Sequence, residues 1–345
     1  MTKVQLNAVR KQFGAFVAIE NIDLDIESGE LVALLGPSGC GKTTTLRMIA
    51  GLERPSGGAI LFDGKDVSEQ PVQDRNVGMV FQRYALFPHM TVEKNVAFGL
   101  SVRGTPRAEI GERLEEILDV VQLTQFRHRF PAQLSGGQMQ RVAIARTLIT
   151  KPSVLMMDEP LANLDTKLRG EMRRFIRDLQ QRFGITTIFV THDQVEAMEL
   201  ADRVAVIFNG HLAQYDAPAR LYQQPANLDV ADFMGASNIV PGRMKSHELV
   251  ETAIGEIRVA PRAGFDSGKD VQVMLRGEAI DLLTSQSAQG GVAGRVVARD
   301  FFGASVNYNI DCGTHQITVS EQARRLVDVG TPVWLSIDPE RVWLL

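Results

Sequence analysis

The chain has 345 residues, of which 44% are hydrophobic and 23% charged, a length that suggests two domains and a balance that suits sizeable buried cores. Its formal net charge of −4 argues against a nucleic-acid partner, which calls for a basic surplus. Two cysteines, Cys40 and Cys312, are too few for a disulfide framework and suit a reducing compartment. Residues 1–10 are mixed and polar, unlike a signal peptide, and no apolar run approaches the length of a spanning helix.

From residue 4 to about residue 233, short β-rich runs alternate with helical patterns, as in an α/β domain. Leu31–Leu35 is apolar throughout and predicts a strand buried on both faces. Directly after it, Gly36-Pro37-Ser38-Gly39-Cys40-Gly41-Lys42-Thr43 fits the pattern G-x-x-x-x-G-K-[ST], and a helical run to Ala50 follows, stopped by Gly51. Glycines there let backbone N–H groups wrap anionic oxygens, and the helix N-terminus adds positive potential. Lys42 is expected to reach the β- and γ-phosphates of a nucleotide and Thr43 to ligate Mg²⁺. Cys40, inside this loop, reads as a reactive thiol whose alkylation would block the site. Residues 88–131 are more helical and charged, with spaced apolar positions over 107–121, and predict a helical insert.

Residues 154–157 form a second apolar strand, ending in Asp158 and Glu159. Acids at that edge sit where α/β sheets bind ligands, so Asp158 is expected to hold Mg²⁺ and Glu159 to orient and polarise an attacking water. A third strand over 187–190 runs into Thr191-His192-Asp193, so His192 is expected at the same place, in contact with the γ-phosphate or the catalytic water. Residues 203–208, then Asn209-Gly210, then 211–215 predict a hairpin with a type I′ turn. Beyond Phe233, short β patterns at 271–275, 291–298, 306–310, 316–319 and 333–337 predict a small β-barrel. The segment Asp232-Phe233-Met234-Gly235-Ala236-Ser237 is echoed by Asp300-Phe301-Phe302-Gly303-Ala304-Ser305, through a duplicated barrel segment, a recurrent β-turn entry or chance.

Between the phosphate loop and the Asp-Glu strand lies Leu134-Ser135-Gly136-Gly137-Gln138, followed by a helical run over 139–148. Physically this is a second anion site at a helix N-terminus. With this motif the chain resembles the ABC ATPase family over about residues 4–235. The resemblance implies an α/β P-loop ATPase domain with a helical insert over residues 1–235 (insert about 88–150), followed at 236–345 by a small all-β, OB-like barrel similar to the TOBE-like accessory domains of bacterial importers. It implies ATP and Mg²⁺ as cofactors and a head-to-tail homodimer with ATP held between one phosphate loop and the partner's Ser135-Gly136-Gly137-Gln138. Carried over residue by residue, Phe13 stacks on adenine, Gly36, Ser38, Gly39, Cys40, Gly41, Lys42, Thr43 and Thr44 hold phosphate, and Gln82 senses Mg²⁺ and the attacking water. Asp165, in the segment Leu161-Ala162-Asn163-Leu164-Asp165, lies at the dimer interface; Ala162 stands where the family often has Ser. In Leu275-Arg276-Gly277-Glu278 the family commonly has Arg-Pro-Glu, so Gly277 is a departure. The implied assembly has two membrane-spanning permease subunits, reached through residues 83–92, and an extracytoplasmic solute-binding protein, with this chain peripheral on the cytoplasmic face. The implied cargo is a small charged solute such as a polyamine, ferric iron, sulfate or phosphonate, with a sugar as a further option. A soluble ABC ATPase acting on nucleic acid or ribosomes, and a split exporter ATPase, are the alternatives; one phosphate loop, one signature and the acidic balance speak against the first.

Overall fold

In the computed structural model, which describes residues 2–236, 238–285, 291–324 and 326–345, the chain folds as two units, Met1–Leu221 and Tyr222–Leu345. The first opens with β1 (Val4–Phe13), β2 (Phe16–Ile26), β3 (Leu31–Leu35), α1 (Lys42–Ala50), β4 (Gly57–Phe62), β5 (Lys65–Asp66) and β6 (Val77–Val80). Three helices follow: α2 (Val92–Val102), α3 (Arg107–Val120) and α4 (Gly136–Leu148). The unit then continues through β7 (Val154–Asp158), α5 (Thr166–Phe183), β8 (Thr186–Thr191), α6 (Gln194–Leu200), β9 (Arg203–Phe208) and β10 (His211–Asp216).

Two sheets form this unit. One has the order β10-β9-β3-β8-β7-β6, parallel except for the β9–β10 hairpin. Every residue of β3 and β8 is buried, as strands covered on both faces require. Asn209 and Gly210 both take positive φ at the hairpin, as the type I′ turn demands. The other sheet is antiparallel, ordered β2-β1-β4-β5. In β1 the buried residues run Val4, Leu6, then Val9, because Ala8 adopts φ 48° and shifts the register against β2. Side chains of both sheets and of α1, including Leu6, Ile26, Leu34, Leu46, Ile49 and Ile188, share one core. The helical insert is present as α2 and α3, packed beside α4.

The second unit holds α8 (Leu228–Phe233), preceded by α7 (Pro218–Gln223) at the division between the units, and then, among the described residues, ten strands. β11 (Asn238–Ser246), β12 (Leu249–Thr252), β13 (Gly255–Arg258) and β14 (Asp270–Leu275) lie in one five-stranded antiparallel sheet with the last strand, β20 (Val342–Leu344). β15 (Ile280–Leu283), β16 (Val292–Phe301), β17 (Ser305–Asp311), β18 (Gln316–Gln322) and β19 (Pro332–Ile337) form the other. A shared core of Val240, Val273, Val296, Tyr308, Val319 and Leu335 makes this the small all-β barrel expected from the sequence. The sequence echo is not a structural repeat. Residues 232–236 end α8 in a turn, whereas 300–305 form the β16–β17 hairpin; Ser237 lies outside the described residues. What the two copies share is a left-handed turn glycine, Gly235 at φ 73° and Gly303 at φ 82°.

Candidate nucleotide-binding site

The loop between β3 and α1 is held open by its glycines. A Cβ on Gly36 would stand 2.2 Å from the Ile207 carbonyl oxygen, and one on Gly41 would stand 2.3 Å from the Ile19 side chain. Gly39 takes φ 81° with open space beside it. Lys42, only 5% exposed, donates from Nζ to the carbonyls of Gly36 (2.7 Å) and Pro37 (2.8 Å), so the ammonium closes the loop around itself. A cleft of about 250 Å³ is lined by Ser38, Gly39, Gly41, Lys42, Thr43, Thr44 and Glu159, with Phe13, Phe16 and Ala18 at its apolar end. Phe13 is 47% exposed and carries Lys11 Nζ 4.7 Å from its ring centroid. Cys40 corrects the expectation of an accessible thiol. Its side chain is 4% exposed and belongs to the hydrophobic core, because the loop turns it inward beneath Gly36, and Cys40 is not among the residues that line the cleft.

Across the cleft, the parallel strands deliver a row of polar side chains at their C-terminal ends. The Thr43 hydroxyl donates to Asp158 Oδ1 at 3.0 Å. Burial pushes the Asp158 carboxyl above the ordinary carboxylate range, with the Thr43 bond pulling the other way. Glu159 takes φ 44°, a strained backbone for a non-glycine residue at the edge of a site. Both its carboxylate oxygens are engaged: Gln82 Nε2 donates to Oε2 at 3.1 Å, and His192 Nδ1 lies 3.4 Å from Oε1. Asn163 fixes Gln82 by donating to its backbone carbonyl at 2.7 Å. Behind His192, Thr191 Oγ1 donates to Glu196 Oε2 at 2.6 Å, and burial raises the Glu196 carboxyl above its usual value. Glu159, Arg169, Thr191, His192, Asp193 and Glu196 line a second, smaller polar cleft beside Ala162.

The remaining sequence-predicted residues stand elsewhere. Ser135 is the N-cap of α4, with Gln138 Oε1 accepting from the Ser135 N–H at 2.9 Å and Ser135 Oγ accepting from Gln138 N at 3.3 Å, a capping box. Gly136 and Gly137 are the first residues of that helix. None of these four lines the phosphate-loop cleft. Asp165 is the N-cap of α5, its carboxylate accepting from Leu168 N at 3.0 Å. Phe16, Asn163 and Glu196 escape a sequence reading. The signal for Phe16 was present, a second aromatic two residues beyond Gly14; the other two act through contacts that no local pattern encodes.

Residues 19–162 match the ABC transporter family and residues 273–345 match the TOBE domain family. The chain is 47% identical over 320 residues to the "Fe(3+) ions import ATP-binding protein FbpC" of Rhizobium etli, covering 93% of this chain and 91% of that protein. It is 50% identical over 307 residues to the protein of the same name from Agrobacterium fabrum (88% and 86% covered). With its namesake from Photorhabdus laumondii it is 44% identical over 346 residues, covering 99% and 97%. Among solved structures, cbiO1 of Clostridium perfringens, described as part of the ABC transporter complex cbiONQ, superposes with a TM-score of 0.60 at 31% identity, over 64% of this chain and 90% of its own. Near-half identity sustained through both units goes beyond a shared fold: this chain belongs to the ATP-binding, ATP-hydrolysing proteins of the ABC transporter family.

Proposed function

We propose that this chain is the ATPase of a ferric-iron importer. The observation that carries this reading is the 44–50% identity, sustained over most of the chain, to proteins named for Fe(3+) import. Cargo selection in such an assembly falls to other subunits. This chain supplies ATP turnover to two membrane-spanning permease subunits served by an extracytoplasmic solute-binding protein. It sits peripherally on the cytoplasmic face; among the described residues no helix is long and apolar enough to cross a membrane.

Within the site, adenine lies against Phe13, with Phe16 beside it, and the phosphates enter the loop from Gly36 to Thr44. Lys42 exchanges its bonds to the Gly36 and Pro37 carbonyls for phosphate oxygens. The Thr43 hydroxyl and Asp158 carboxylate form the hard-oxygen pair that suits Mg²⁺, which takes few protein ligands beside phosphate and water. When bound, that ion neutralises phosphate charge; Gln82 is placed to report on it. Glu159 receives the proton of the attacking water, and Gln82 and His192, one on each carboxylate oxygen, aim it. Ser135, Gly136, Gly137 and Gln138 present a second anion-binding helix end that lines none of the chain's own cleft. A head-to-tail homodimer brings that end, and Asp165, to the partner's nucleotide.

The test uses Glu159→Gln, tagged, in native membranes solubilised with detergent. Co-purification of two permease subunits, with loss of iron-dependent growth and of radiolabelled Fe³⁺ uptake on deletion of the gene, supports the proposal. Uptake that is unchanged for Fe³⁺ but lost for another solute overturns the iron assignment. Recovery of ribosomes or nucleic acid in place of permeases overturns import.

A further inference from the structure

The segment that follows Gln82 is strained, and one side chain holds it. Ala85 N donates to Arg83 O at 2.6 Å, closing a three-residue turn with Tyr84 at its centre. Tyr84 takes φ 60° and Ala85 φ 49°, two consecutive non-glycine residues in the left-handed region. A turn closed in this way is uncommon and costly for L-residues. The Tyr84 hydroxyl is buried with no hydrogen-bond partner among the described residues, a further cost of this conformation. Against these costs stands Arg146 of α4. Its guanidinium forks, Nη2 donating to the Tyr84 carbonyl at 2.9 Å and Nη1 to the Ala85 carbonyl at 2.7 Å, and it lies 5.7 Å from the Phe87 ring. The same helix begins at Gly136, where an added Cβ would lie 3.7 Å from the Tyr84 hydroxyl.

We propose that Arg146 is a positioning residue for hydrolysis: by clamping the carbonyls of Tyr84 and Ala85 it stabilises the strained turn that sets Gln82 against Glu159, and it does so from the helix that opens with Ser135-Gly136-Gly137-Gln138. The proposal rests on the reading of Gln82 and Glu159 as the hydrolytic pair. A planar fork meets two adjacent carbonyls at once; lysine keeps the charge and loses the fork. Without the clamp the turn relaxes, and glycine at 85 restores it in part, because glycine enters the left-handed region freely.

The experiment measures ATP turnover and ATP affinity of the full-length chain for R146M, R146K, A85G and the R146M/A85G pair. R146M is expected to lower kcat at least tenfold with the ATP Kd within twofold, R146K to fall between, and A85G to recover at least threefold of the R146M loss. If R146M does not fold, R146K takes its place in every comparison. A85G alone is expected to raise the melting temperature; a decrease overturns the premise of strain. An R146M kcat within twofold of the parent, a Kd that weakens as much as kcat falls, or no recovery with A85G overturns the clamp. E159Q separates the two levels: turnover abolished there but untouched by R146M sinks the clamp alone, whereas turnover that survives E159Q sinks the hydrolytic assignment.

Discussion

Gly36→Ala and Gly39→Ala differ by one methyl group each, yet the structure assigns them different costs. At Gly39 the new Cβ meets nothing within 4 Å, so the penalty is conformational: φ 81° is left-handed, worth about 1–2 kcal/mol for an L-residue. At Gly36 the Cβ lands 2.2 Å from the Ile207 carbonyl oxygen and 2.8 Å from Cys40 Sγ, at φ 153°. Strand β9 and the loop must separate by roughly 1 Å to reach ordinary contact. Overpacking of that kind costs about 1–3 kcal/mol and an unfavourable backbone about 1–3 more, so roughly 4 kcal/mol is expected in total. At about 2–4 °C per kcal/mol for a unit of this size, G39A should lower the melting temperature of the first unit by roughly 2–8 °C and G36A by roughly 8–16 °C. The protein supplies its own control. Both tryptophans, Trp334 and Trp343, lie in the second unit, so tryptophan fluorescence follows the barrel while calorimetry follows both units. ATP binding, measured by equilibrium dialysis, should survive in G39A within about tenfold, since about 1.4 kcal/mol is a factor of ten. In G36A it should be lost along with the loop geometry. Equal destabilisation by the two variants, or a parental melting temperature for G36A, would refute the reasoning, because it would mean that the loop does not pass β9 as described.

Three further outcomes follow from the site. Glu159→Gln should cut kcat by about 10²–10⁴ while leaving ATP affinity within a fewfold, and ATP should then hold the protein as a dimer on size-exclusion chromatography. Glu196 is a buried carboxyl whose folded-state pKa is raised by burial, so folding disfavours its ionised form, a penalty that grows as pH rises through the titration and is gone once the group is protonated in both states. Glu196→Gln, which keeps an acceptor for Thr191, should therefore raise the melting temperature at pH 7 relative to the parent, and the gain should vanish as pH falls below the ordinary value of 4.5; a gain that grows on acidification would reverse the sign and sink the argument. Cys40 should resist N-ethylmaleimide in the native protein and react in urea, as mass spectrometry of the tryptic peptide would show; fast native labelling would contradict its burial.

The phosphate loop was legible because its information is local: glycines at fixed spacing between an apolar strand and a helix. The Asn209-Gly210 hairpin was legible for the same reason. The sheet built from β1, β2 and β4 was not, since the extra residue at Ala8 breaks the two-residue alternation and leaves Val4, Leu6 and Val9 out of phase. Cys40 misled through its burial: its Sγ does lie 3.8 Å from Lys42 Nζ, but the main chain of the loop carries the thiol inward, where solvent does not reach it. Arg146 and Asn163 could not be found by pattern at all. Their partners lie 61, 62 and 81 residues away, and what they hold are carbonyls that any residue possesses.

The ladder itself explains why three strands suffice to bring Gln82, Glu159 and His192 to one place. Val80 pairs with Met157, and Asp158 pairs with Val190, so β6, β7 and β8 end almost level. Gln82, Glu159 and His192 each follow within two residues of those last pairs, and the register of a fully buried sheet cannot slip without exposing a hydrophobic face. A level set of strand ends fixes position along the sheet but not the exit of the chain, and the backbone must turn sharply to bring side chains of successive strands onto one point. The cost of that turning is visible at Glu159, directly after β7, and at Tyr84 and Ala85, four and five residues after β6, all in the left-handed region. Strain of this kind persists only where surrounding contacts over-determine it. Those contacts are Glu159 N to Val190 O at 3.1 Å, Asn163 to Gln82, and the fork of Arg146. Two of the three come from elements that also bear on the proposed dimer face, the segment before Asp165 and the helix begun by Ser135. A partner that shifts either element therefore changes what holds Gln82 and Glu159 together, and does so without touching the sheet.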